Sequence, residues 1–381
     1  MVTAAPRQVI RGNIATDWQR VANEVSAHSV AIPGPQGAPA GGLFGWVGFD
    51  GSFCFGVYPE VLVFDHAKQT WMELGQLSTH CAPRKHASAP RLHFEPLVQR
   101  DVFIAAVESA QAYIAAGDIY QVNLAHPWRA QWPERSDPLA FYHSLQQSSP
   151  APFAAFLSLD GTDVFSSSPE CFLRMSGRQI ETRPIKGTRP RFPSNAAQDQ
   201  ASARALAASV KEQAELLMIT DLERNDLGQV CEFGSVHVPE LASVESFAQV
   251  FHLVSTVRGT LRPDVDHTSA FKACFPGGSI SGAPKKRALE IIAELEKHPR
   301  GLYTGAIGYF GFNGESQFNI VIRTAVLQDQ VITFHAGAGI VADSVPEQEY
   351  VETLHKAAGI LGAANHGPKK ILVSARGTHE D

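Results

Sequence analysis

Apolar positions along the chain follow two rhythms, one helical and one alternating. Residues 101–116 place apolar side chains at helical spacing and stop at Gly117, a residue suited to a helix C-terminus. Residues 197–222, rich in Ala and other strong helix formers, predict one long helix. Another is expected over 284–297, with Ser281 and Gly282 just ahead of it, and a last one over 346–361. Strands are predicted at 60–65, 163–168, 171–175, 179–185, 305–310, 318–327 and 331–335, with Gly177 turning 171–175 into 179–185 as a hairpin. The strands come in adjacent, antiparallel-looking runs with helices between the runs and no repeat period. That order predicts an α+β fold with packed sheets and argues against a doubly wound parallel sheet.

Two segments look like joints: 31–42, rich in Pro and Gly, and 77–96, polar, basic and carrying three prolines. They divide the chain into a β-rich framework region (1–97), a main region (98–365) and a loose tail (366–381). At 381 residues the chain exceeds the usual single-core size, so two domains or one large layered domain is expected. Hydrophobic residues at 44% and charged residues at 18% are ordinary for a globular protein. The net charge of −6 comes from scattered residues, which gives no footprint for nucleic acid or anionic lipid. Five widely spaced cysteines, without CxxC or HExxH, suggest neither a disulfide frame nor a zinc site. With no signal-like start and no apolar run of about 18 residues, a cytoplasmic protein away from membranes is expected.

Four segments could carry chemistry. Glu212 with Glu215, and Glu349 with Glu352, are spaced i to i+3 on predicted helices, so each couple shares a helical face. The first is expected to share its face with Ala208 and Ile219, opposite Leu206, Val210 and Leu217. The second lines up with Lys356, opposite Val351, Leu354, Ala358 and Leu361. They are either surface acids with an i,i+4 pair from Glu352 to Lys356, or hard-oxygen ligands for magnesium, which commonly takes one or two carboxylates plus a substrate anion. Residues 275–284, Gly-rich and leading into a helix, offer either an anion site or an ordinary helix start. They miss the nucleophile-elbow pattern, because Ser281 stands where its last Gly should be. Residues 337–342 match the dinucleotide fingerprint formally, but 343–346 follow without an immediate helix, which excludes that reading; a loop there could still offer amides to a carboxylate. In 182–191, Lys186 lies among three arginines, which would disfavour its charged form and make a neutral nucleophile available; a plain exposed lysine is the alternative.

Together these segments, with Asp118-Ile119-Tyr120-Gln121-Val122-Asn123-Leu124, Ser167-Ser168-Pro169-Glu170, Asp221-Leu222-Glu223-Arg224-Asn225-Asp226, Gly282-Ala283-Pro284-Lys285 and Ile322-Arg323-Thr324, resemble the chorismate-binding enzymes over about 98–361. The resemblance implies an α+β fold with two central antiparallel sheets packed face to face and helices outside. It implies magnesium held by Glu215 and Glu352, with Glu212 and Glu349 holding coordinated waters. Tyr303, Arg323, the amides of Ala338 and Gly339, and Lys356 match positions that grip the carboxylates of chorismate; Ser279 and Thr188 join the substrate-binding set. His252 matches an active-site histidine of open role. Lysine at 186 points to the aminodeoxychorismate synthase branch, which aminates carbon 4 in the route to 4-aminobenzoate and folate. Lys186 is then the nucleophile and Glu170 the acid. Gln121, where water-adding members carry lysine, counts against addition of water at carbon 2. The chain shows no glutaminase motif, so a separate glutamine amidotransferase subunit is implied as ammonia source. Anthranilate synthase is the alternative.

Overall fold

The computed structural model describes residues 1–31, 38–80 and 88–365. Parts of both expected joints and the tail expected at 366–381 lie outside the described residues.

Two antiparallel sheets form the centre. The ten-stranded sheet runs Gln8–Asn13, Ser52–Tyr58, Gly42–Val47, Ala306–Gly311, Glu315–Ile320, Cys171–Ser176, Gln179–Arg183, Val250–Thr260 and Ile185–Pro190, with His237–Ser246 also paired to Val250–Thr260. The seven-stranded sheet runs Gly282–Ala283, Gln121–Gln131, Val331–Ile340, Thr324–Gln328, Thr162–Ser168 and Phe153–Leu159, with Glu95–Pro96 also on Gln121–Gln131. Val164, Leu157 and Val326 of one sheet meet Trp46 and Ile307 of the other, so the sheets pack face to face through apolar side chains. The first region is continuous with the larger sheet, because Gly42–Val47 pairs along its length with Ala306–Gly311. Helices cover the outside. Among the described residues no helix is long and apolar enough to cross a membrane.

The chain passes between the sheets at two short crossovers. Strand Thr162–Ser168 leaves the smaller sheet and, through Pro169 and Glu170, becomes Cys171–Ser176 of the larger. Strand Glu315–Ile320 returns through Ile322 and Arg323 to Thr324–Gln328. The single strand expected over 318–327 is therefore two strands in two sheets. The break is at Arg323, whose φ of 48° is left-handed and cannot continue a strand. The crossovers hold each other: Ile320 N–H donates to the Glu170 carbonyl at 3.1 Å and Ser167 N–H to the Arg323 carbonyl at 3.1 Å.

Three further expectations are corrected. The long helix over 197–222 is two helices, Ala196–Ala207 and Val210–Gly228, because Ser209 takes the N-cap position of the second, facing the Glu212 N–H at 3.5 Å. Residues 275–284 do not feed amides into a helix start. They form a 3-10 turn at Gly278–Ile280 and a two-residue strand, Gly282–Ala283, paired to Gln121 and Val122. Residues 337–340 are not a loop after a strand but the second half of strand Val331–Ile340, which pairs with Gln121–Gln131 over its whole length.

Arg300 ties these parts together from a 5% exposed position. It pairs with Glu296 at 2.6 Å, donates to the carbonyls of Asn123 and Ile280, and stacks on Phe49 at 4.4 Å. Arg300→Leu would leave the Glu296 carboxylate without its charge partner and take the side-chain donor from two carbonyls. The expected loss is about 3 kcal/mol, read as a lower urea midpoint with an unchanged slope; a wild-type midpoint would refute the assignment.

Candidate active site

A cleft of about 990 Å³ opens beside the crossovers. Its lining includes Glu170, Lys186, Thr188, Glu212, Glu215, His252, Ser279, Tyr303, Arg323, Gly339, Glu349, Glu352 and Lys356, so side chains from across the sequence converge there. The one expected residue outside the lining is Ala338, for a reason visible in the strand ladder. Asn123 and Ala125 turn their N–H groups away from Val331–Ile340, to Ser281 and Glu296, so Leu124 faces its partner Ala338 with its own hydrogen-bonding groups. The Ala338 amide is therefore spent in the ladder. Gly337 and Gly339 point theirs to the open edge, where the Gly337 carbonyl accepts from Lys356 at 2.8 Å.

The inner face of Val210–Gly228 carries Glu212, Glu215, Leu216, Ile219, Glu223 and Asp226, which fall within about 100° of one another at helical spacing. Ile219 shares that face as expected. Val210 and Leu217 point to solvent, at 80% and 56% exposed, while Leu206 belongs to the preceding helix and packs with Leu216, Phe251 and Leu253. On Pro346–Ala364 the cleft side is broader than expected. Val351 and Ala358 line the cleft beside Glu352 and Lys356, and Leu354 and Leu361 pack against the core.

Lys186 lies on strand Ile185–Pro190 next to a bulge, where Gly187 at φ 66° is an extra residue between the pairs Lys186 to Leu253 and Thr188 to His252. A Cβ on Gly187 would stand 2.8 Å from Leu206 Cδ1 and 3.0 Å from Glu212 Oε2, so glycine lets the strand lie against the acidic helix. Burial pulls the Lys186 ammonium below its ordinary value; Glu215 opposes this and Lys356 adds to it. The three neighbouring arginines are not the cause. Each is engaged elsewhere: Arg183 with Glu245, Arg189 with Glu212 at 3.5 Å, Arg191 with Asp199 at 2.9 Å.

Glu170, 5% exposed on its crossover, is pushed the other way. Burial raises its carboxyl against a hydrogen bond from Ser279 and the charge of Lys186. A buried amine inclined to be neutral and a buried carboxyl inclined to keep its proton have the chemistry that a nucleophile and an acid require. His252 is held down to about 4 by burial and by Arg323, so it is neutral at pH 7; its Nδ1 lies 3.0 Å from the Thr188 hydroxyl. Tyr303 stacks on His335 at 5.1 Å, and its hydroxyl lies where a Cβ on Gly337 would fall.

Glu215 is raised by burial, with Lys186 opposing and Glu212 adding. Burial would also raise Glu352, but Lys356 at 2.6 Å outweighs it and holds the carboxyl below its ordinary range. Glu349 is raised by burial, although Ser344 donates to it at 2.7 Å. Among the described residues no three His, Cys, Asp or Glu side chains form a ready metal nest. The set is nonetheless all hard oxygens, with Glu352 close enough to raise Glu215, which fits an ion that keeps its waters and borrows a substrate oxygen.

Gln121, Asn123 and His335 emerge from the structure. Gln121 is fully buried with neither amide atom partnered, and the Asn123 amide stands beside the Tyr303 hydroxyl. A Cβ on Gly339 would lie 3.1 Å from Gln121 Nε2 and 3.6 Å from Lys186 Nζ, so both side chains reach the same face of the strand. The signal was two polar residues alternating with apolar Val122 and Leu124 at the start of the strand. Nothing in the sequence around His335 marks it.

A family model described as chorismate binding enzyme matches residues 17–362. The chain is 50% identical over 258 residues to an aminodeoxychorismate synthase of Streptomyces pristinaespiralis, covering 68% of this chain and 36% of that protein. It is 46% identical over 257 residues to aminodeoxychorismate synthase component 1 of Bacillus subtilis, covering 68% and 54%. The chain thus spans between about a third and about half the length of these two relatives. Anthranilate synthase component I from Streptococcus pneumoniae superposes with a TM-score of 0.84 at 29% identity, covering 94% of this chain and 91% of that one.

The depressed Lys186 amine has a direct readout. Reductive methylation followed site by site across pH should show Lys186 reacting as a neutral amine at lower pH than an ordinary lysine, and lower still in Glu215→Gln, which removes the upward pull. Titration at or above the ordinary lysine value would contradict the assignment.

Proposed function

The chain belongs to the chorismate-binding enzyme family, and from that membership we propose that it aminates chorismate at carbon 4, as the ammonia-using component of an aminodeoxychorismate synthase. The observation that carries this reading is Lys186, an amine inclined to be neutral in the same cleft as a buried Glu170 inclined to be protonated.

Lys186 attacks carbon 2 of the ring, the double bonds shift, and the carbon 4 hydroxyl departs as water with the proton of Glu170. Ammonia then adds at carbon 4 and the reverse shift expels the lysine, so the new nitrogen stands on the carbon the hydroxyl left. The enolpyruvyl group is untouched. Arg323, Lys356, Tyr303 and the Gly339 amide face the two carboxylates of the substrate, with Ser279 and Thr188 at the polar wall. Glu215 and Glu352 would hold a magnesium ion, with Glu212 and Glu349 on its waters, and the ion would supply positive charge to a substrate carboxylate. Ammonia comes from a separate glutamine amidotransferase subunit. Among the described residues the four cysteines, Cys54, Cys171, Cys231 and Cys274, are buried and free, which suits a reducing cytoplasm.

The fold likeness to an anthranilate synthase component I favours a second reading, amination at carbon 2 with release of pyruvate. Product analysis separates them. Purified protein with chorismate, magnesium and an ammonium salt is expected to give an aminated product that keeps the enolpyruvyl group, with turnover falling by at least about 100-fold in Lys186→Ala. Anthranilate with pyruvate, or an unaffected variant, would overturn the proposal. Glu352→Gln is expected to raise the magnesium concentration for half-maximal rate by about 10-fold or more; an unchanged magnesium dependence would remove Glu352 from the ion's shell.

A further inference from the structure

Behind the Gly278–Ile280 turn lies a buried acidic cluster that the chemistry above does not use. Glu223 and Asp226, on the inner face of Val210–Gly228, are 3% and 2% exposed. Asp226 pairs with Lys285 at 2.5 Å, and that ammonium also donates to the Cys274 carbonyl at 3.3 Å. Charge is balanced within the pair, which leaves Glu223 as an odd carboxyl. Its Oε1 accepts the Gly278 N–H at 3.0 Å, and its Oε2 has no partner. A Cβ on Gly278 would come within 2.5 Å of Leu222 Cδ2 and 3.2 Å of Glu223 Oε1, so the turn rests directly on the helix. The next residue, Ser279, hydrogen-bonds the Glu170 carboxyl.

We propose that Glu223 is a positioning residue for the reaction: by holding the Gly278 N–H it fixes the Ser279 hydroxyl, and through it the orientation of the Glu170 carboxyl. Glu223 does not line the cleft, so it acts through the turn and not on the substrate. The groups facing it are Asp226 on its own helix, Lys285 and Cys274 on the two neighbouring helices, the Gly278 N–H, and Glu170 across the turn. Burial, then the Asp226 charge, push the Glu223 carboxyl up to about 8, against Lys285. Protonated, it leaves the cluster neutral. Ionised, it places an uncompensated negative charge behind Gly278 and raises the proton affinity of Glu170 through space.

The inference rests on Glu170 acting as the acid in chorismate turnover, and the test is arranged to separate the two. Glu223→Leu removes the acceptor for Gly278; Glu223→Gln keeps an acceptor and removes the titration. Steady-state rates with chorismate are expected to show kcat lowered about 10-fold in the leucine variant with KM within about twofold, and restored to within about threefold by glutamine. The alkaline limb of the glutamine variant's kcat profile should also move relative to wild type. Melting supplies a second arm. The raised carboxyl makes the folded state lose stability as pH climbs from 4.5 towards about 8, so the melting temperature of Glu223→Gln should gain on wild type across that window and hold its lead above it. Where the leucine variant does not fold, the glutamine pH profile and melting decide. An active wild type with a glutamine variant of unchanged profile and a pH-independent melting difference would overturn this inference alone. A wild type that leaves chorismate untouched would overturn the proposed function and this inference with it.

Discussion

Two backbone hydrogen bonds organise the cleft: Ile320 N–H to the Glu170 carbonyl, and Ser167 N–H to the Arg323 carbonyl. They lock together the two short crossovers by which the chain trades one sheet for the other. Each crossover would otherwise expose backbone groups in a buried place, where unpaired donors and acceptors are costly. By satisfying each other they also bring an acid and a guanidinium, more than 150 residues apart in sequence, to the same side of the interface. Ser168 Oγ donates to the Ile320 carbonyl at 2.6 Å and the Thr324 hydroxyl to Ser166 Oγ at 2.9 Å, so the polar stitching extends one residue to each side. Arg323 holds a left-handed backbone conformation that a non-glycine residue adopts at some cost, and the surrounding pairing sustains it.

With the frame fixed, the electrostatics follow from where charge is buried. Lys186 and Glu170 are both dominated by desolvation, which moves an amine down and a carboxyl up, narrowing the gap between them. Glu352 and Lys356 are also pressed by desolvation, yet their 2.6 Å contact reverses the outcome and keeps both charged. The same cleft therefore contains several groups pushed towards neutrality by burial and, in Glu352 and Lys356, a pair held ionised by its own contact. Each of the three arginines near Lys186 has its own carboxylate, so their presence in the sequence carried no information about the amine.

Helical spacing made the two glutamate couples legible, and alternation made most strands legible, because both depend only on neighbours in sequence. The misreadings arose where tertiary contacts overrode local pattern. Ala-rich sequence across 197–222 hides the cap at Ser209, although Ser209 followed three residues later by Glu212 is a recognised start signal. The apolar run over 318–327 hides a change of sheet, since β-propensity is the same in either sheet. The glycines at 337 and 339 suggested a loop; in fact glycine suits a strand one face of which lies against Tyr303 at 337 and against Gln121 and Lys186 at 339. Ala338, between them, was misplaced for want of a register, which no single sequence supplies.

The open edge of Val331–Ile340 also explains why so many cations tolerate one another here. Beyond Phe334 the strand has lost Thr324–Gln328 as a neighbour, so its outward carbonyls and amides are free to deal with ligands instead of with a strand. The Gly337 carbonyl accepts a hydrogen bond from Lys356, which anchors that ammonium while Glu352 balances its charge. A dianion entering the cleft would compete with Glu352 for Lys356, and with Glu170 for the field of Arg323. Both carboxyls would then gain proton affinity as the substrate binds. For Glu170 that change strengthens the tendency burial has already given it, so on the proposed chemistry the substrate's own charge would help keep the acid protonated until the carbon 4 hydroxyl leaves.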